Sequence, residues 1–111
     1  MGALKWNLRL QEGATRHSVD MSTNDFFSHT GSDGSRLVQR LPAAGYFYST
    51  AGENIAAGHT SVTQVVADWM SSTIGHCENI MKDTHRDIGV SCKINGASTY
   101  KTYWTMDLGA R

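Results

Sequence analysis

The sequence predicts an α+β fold with an antiparallel sheet, and three observations lead there. Apolar residues recur at helical spacing over the first twenty or so positions. They do so again behind Ser61. Near the end, two strand-like runs flank Asn95-Gly96. Helices come early and the hairpin last, the order expected of segregated helices and an antiparallel sheet. The 111 residues, 1–111, make a single domain, long enough for a real core and short enough to profit from a covalent staple.

Each element has a local reason. From Leu4 to about Thr23, Leu10, Ala14, His17 and Met21 fall on one helical stripe, weakened slightly by Gly13. Asp33-Gly34 marks a tight turn, and Ser35 is a cap for a short helix that Pro42 and Gly45 close. Tyr46 to Ala57, aromatic and small, holds a short strand. Ser61-Val62-Thr63-Gln64 reads as a capping box, followed by the apolar stripe Val62, Val65, Val66, Trp69 and Met70. Gly75 ends that helix, and another short one is expected from His76 to Lys82. Ile88–Ile94 and Thr99–Met106 form the hairpin.

Composition excludes several partners. Ten Lys and Arg balance ten Asp and Glu, so no nucleic-acid or acidic-membrane partner is indicated. No apolar run approaches the length of a transmembrane helix. Met1 to Trp6 lacks the charged and apolar regions of a signal peptide. Cys77 and Cys92 have no zinc-type spacing; they read either as two free thiols or as a disulfide. The disulfide is preferred, because Cys77 starts a helix just before the strand that holds Cys92. Closing such a loop would contribute about 3 kcal/mol and imply an oxidising compartment.

The chemistry centres on Gly52-Glu53-Asn54-Ile55, where one carboxylate interrupts an apolar run. A buried carboxylate needs a partner. Of the five histidines, His17 sits on the core stripe and reads as a hydrogen-bonded structural residue. His59 reads as solvated, and His85 as part of a polar loop. His29 and His76 differ: each lies at an element boundary beside small residues, as Glu53 does. Together the three could hold a zinc ion with an open water position, or act as an acid–base cluster. Ser28, Ser32 and Ser72 lie near the histidines in sequence, but no nucleophile elbow appears. From spacing alone, a structural polar network is preferred.

The ordered runs HSVDM, FFSHTGSDGS, AAGY, GENIAAG, WM with GHCENIM, IGV and YWTMDLG resemble the CAP superfamily of cysteine-rich secretory, antigen 5 and pathogenesis-related proteins. The short bacterial secreted members are the nearest match. The resemblance implies an α-β-α sandwich around a central antiparallel sheet, with a cleft holding two histidines and two acids. It places His29, Glu53 and His76 in that cleft, whether as metal ligands or as catalytic groups. The second acid is missing, because Ser71 and Ser72 follow Trp69-Met70, and neither Asp68 nor Glu78 matches its position. A helix usual before Leu4 is also missing. The implied function is a secreted or periplasmic binding protein, its signal peptide removed, taking a small or lipid-like ligand and, with low affinity, zinc. A metal-dependent hydrolase and an inert structural module are the competing expectations.

Overall fold

Residues along Thr102–Ala110 are buried on both sides of the strand, and that strand organises the molecule. The computed structural model describes residues 4–71 and 84–111. Its described elements run β1 (Lys5–Trp6), α1 (Leu8–Asn24), α2 (Leu37–Ala43), β2 (Thr50–Ala57), α3 (Val62–Ser71), β3 (Asp87–Ile94) and β4 (Thr102–Ala110). The helix expected from His76 to Lys82 lies outside the described residues. The sheet order is β1-β3-β4-β2, so β4 is flanked on both sides.

Alternation along β4 separates two layers. Trp104, Met106 and Leu108 join Val65 and Trp69 of α3 in one core cluster. On the opposite face Tyr103 packs with Met21 of α1 and Ile55, and Thr105 hydrogen-bonds Ser18 of α1 at 2.8 Å. Beside α1, Leu41 of α2 packs with Leu10 and Tyr46. The expected α-β-α sandwich is therefore present. Its sheet is mixed, because β1 pairs with β3 in parallel while the other two pairings are antiparallel.

Three expectations about the helices need correction. The first helix starts at Leu8, because the Asn7 side chain caps it by accepting from Arg9 N at 2.9 Å and Leu10 N at 3.1 Å. Upstream, Lys5 and Asn7 donate backbone bonds to Arg86 and Ile88, which draws Lys5–Trp6 into the sheet. In α3 the buried stripe is narrower than the spacing suggests. Val65 and Trp69 are buried, but Val62 is 63% and Met70 39% exposed. The short helix α2 is capped at Arg36, whose N–H donates to Gln39 Oε1 at 2.8 Å, and not at Ser35. As for the expected Cys77–Cys92 bond, Cys92 carries an exposed free thiol in this structure, and Cys77 lies outside the described residues.

Close approach of α1 to the sheet depends on Gly89 of β3. A Cβ there would overlap the Gln11 nitrogen and the Leu10 carbonyl carbon of the helix backbone. Gly89→Ala should therefore destabilise by more than about 2 kcal/mol, since helix backbone cannot give way as a side-chain tip can. Trp69 fills the other layer and donates its indole N–H to the Ile55 carbonyl at 3.0 Å. Trp69→Ala should cost about 3–5 kcal/mol. Chemical denaturation of both variants checks the two layers separately, and a loss below about 1 kcal/mol would show that layer to be wrongly assigned.

Candidate functional site

Glu53 stands in the middle of β2, with its side chain only 2% exposed. What allows a charge there is Arg40, projected from α2. Arg40 Nη1 donates to Glu53 Oε2 at 2.8 Å and Nη2 to Oε1 at 3.0 Å, a two-pronged fork. Nη2 also donates to the His29 carbonyl at 2.8 Å, so the same guanidinium holds the loop after α1. His29 Nδ1 lies 2.9 Å from Glu53 Oε1. An ionised carboxylate can only accept, so Nδ1 carries the proton and Nε2 keeps its lone pair when the ring is neutral. The His29 side chain is 56% exposed. Burial pushes the Glu53 carboxyl up, but bonds from His29, Arg40 and Asp107 outweigh it and hold Glu53 far below the usual carboxylate range.

Asp107 lies directly opposite Glu53 across the β2–β4 ladder and has no exposed surface. Burial first, and then the charge of Glu53, raise its carboxyl well above the usual range. On the far side of Arg40 a cavity of about 490 Å³ opens, walled by Arg16, His17, Asp20, Ser32 and Gln39 together with Arg40 itself.

Among the sequence-derived site residues, then, His29 and Glu53 are brought together, and His76 lies outside the described residues. His17 is structural as expected: it is buried and its Nε2 hydrogen-bonds the Ser28 carbonyl at 2.7 Å. Burial pulls it below the ordinary histidine range. His59 is not simply solvated, since its Nε2 sits 2.6 Å from Asp68 Oδ2. His85 is buried and not a surface loop residue. Neither Ser28 nor Ser32 bonds His29; Ser28 Oγ accepts from Thr30 N, and Ser32 Oγ donates to Asp20 Oδ1. Sequence reading missed Arg40 and Asp107. Both carried a signal, a lone charge inside an apolar run: Leu37-Val38-Gln39-Arg40-Leu41 and Tyr103-Trp104-Thr105-Met106-Asp107-Leu108.

Removing the cation tests the clamp. Arg40→Met keeps the apolar stem but leaves Glu53 buried without its counter-charge, and should cost about 3–5 kcal/mol at neutral pH. The depressed Glu53 carboxyl contributes stability above its unfolded value, near ~4.3, that is lost as pH falls through the folded value. Acid unfolding of the wild type should therefore be steeper than that of Arg40→Met. Equal acid slopes would show that Arg40 does not set the Glu53 charge.

Comparison with known proteins bears on this architecture. A model of the cysteine-rich secretory protein (CAP) family matches residues 1–108. The uncharacterized protein YkwD of Bacillus subtilis is 34% identical over 88 residues, spanning 79% of this chain and 34% of that protein. The uncharacterized membrane protein YlbC of the same organism is 33% identical over 95 residues, spanning 84% of this chain and 27% of that protein. The chain thus spans about a third or less of the length of these relatives. Among solved structures, an extracellular SCP-domain protein from Bacillus anthracis aligns over the whole chain and 35% of its own, with TM-score 0.86 and 28% identity. An outer surface protein from Borrelia burgdorferi aligns over the whole chain and 80% of its own, with TM-score 0.88 at 20% identity, a likeness of fold. The chain belongs to the cysteine-rich secretory protein family, and its structural neighbours include extracellular and outer-surface proteins.

Proposed function

We propose that the chain is the binding domain of a secreted protein, and that its cleft takes a small polar ligand or a hydrated divalent metal through His29. The observation that carries this reading is the chain of contacts Arg40–Glu53–His29. It fixes one tautomer and leaves the Nε2 lone pair on a half-exposed ring. A carboxylate behind a histidine is the usual outer support of a histidine that binds a metal.

A zinc site fits these residues only in part. Both Glu53 oxygens already accept bonds, and a guanidinium stands against them, so Glu53 suits the role of supporter and not of direct ligand. His29 Nε2 would be the ligand from the described residues, and His76, which the resemblance to the family's motif implies as its companion, would be the second. Zinc bound there would supply an electron-pair acceptor for a polar ligand.

Zinc titration by calorimetry tests the reading. Wild type should bind weakly, and binding should fade as pH drops through the histidine range near ~6.5, because the metal takes neutral imidazole. His29→Ala and His76→Ala should abolish it, and Glu53→Gln should weaken it about tenfold or more through loss of the orienting charge. Binding by both alanine variants at wild-type strength would remove the metal from the proposal.

A further inference from the structure

Two buried carboxyl groups, Glu53 and Asp107, stand beside each other on adjoining strands with one cation, Arg40, bonded to Glu53. Glu53 and Asp107 are directly paired residues of β2 and β4, so their side chains leave the same face of the sheet side by side. Neither reaches water: Asp107 is 0% exposed and the Glu53 side chain 2%. Arg40, the nearby cation, spends both ends of its fork on Glu53 and its remaining contact on the His29 carbonyl. The helix above Asp107 offers no donor. It passes with Gly13, where even an added Cβ would stand 3.5 Å from Oδ2. Across the other ladder Asp107 faces Gly89. As a carboxylate, Asp107 therefore has no hydrogen-bond donor at either oxygen among the described residues. As an acid it has a partner, because its hydroxyl can donate to Glu53.

We propose that Asp107 is a neutral carboxylic acid in the folded protein and donates its hydroxyl to Glu53, acting as a positioning residue for the Glu53–His29 pair. The carboxyl pair then carries one negative charge, on Glu53, balanced by Arg40. The second acid absent after Trp69-Met70 is not replaced in kind; an uncharged acid supports Glu53 from behind. This inference stands on the sheet register and the burial of the pair, and does not depend on what the cleft binds. The direction in which burial and the Glu53 charge move the Asp107 carboxyl agrees with it.

The test compares wild type with Asp107→Asn, which keeps the shape and an N–H donor but has no proton to lose. An acid whose folded value lies above its unfolded one, near ~3.9, stabilises fully below the unfolded value and progressively less as pH rises toward the folded value. Above pH ~5, wild type should lose about tenfold per pH unit in its folding constant relative to Asp107→Asn, until the folded value is passed. Glu53 titrates below this range and Arg40 stays charged throughout it. A difference between the two proteins that does not change with pH would overturn the neutral acid. The positioning role is read separately from the imidazole nitrogen resonances of His29. Wild type and Asp107→Asn should both show the Nδ1-protonated form, and Asp107→Ala a mixture. An unchanged His29 spectrum in Asp107→Ala would overturn the positioning role.

Discussion

The buried negative charge on Glu53 constrains much of what surrounds it. Desolvating that carboxylate is affordable only against a fork of donors in good geometry. The fork comes from Arg40, which fixes where α2 can lie against β2 and how the His29 loop returns to the sheet. Local chemistry supports the same placement. Gln39 closes the start of α2, and Gly45, with a positive φ of 87°, lets the chain turn from the helix toward Tyr46. The Tyr46 hydroxyl then donates to Asp87 at 2.7 Å, tying the turn to the start of β3.

The close seating of α1 is the second requirement of the site. Asp107 is dry because α1 lies hard against the sheet, and it can do so because Gly89 of β3 presents no side chain to the helix backbone. Burial then decides protonation, and protonation decides which groups can donate. The site and the core are therefore one piece of packing. A change that lifts the helix would wet the carboxyl pair before it disturbed His29 directly.

Much of the fold was legible because its signals are local. The stripe Leu10, Ala14, His17, Met21 is buried throughout, and the two runs around Asn95-Gly96 do pair as β3 and β4. What was not legible depends on distant partners. Lys5–Trp6 is a strand only because β3 lies beside it, and Val62 looks like a core residue until the sheet fails to reach it. At the site, the reading of Gly52-Glu53-Asn54 as a buried acid in need of a partner was sound, and His29 was found. The partner that neutralises Glu53 was overlooked because the search was for histidines. The same question asked of Asp107, also an acid in an apolar strand, would have exposed the carboxyl pair.

The Trp69 indole bears on how the domain behaves among copies of itself. Strand β2 is the last in the sheet order, and a terminal strand offers its unpaired peptide groups as a template for another chain. At Ile55 that offer is withdrawn, because the carbonyl already accepts the indole N–H from α3. The residue that fills one core layer thus also guards an open rim. Loosening α3 would leave a hydrogen-bonding group facing outward in a buried, apolar strand, the kind of surface from which intermolecular sheets grow.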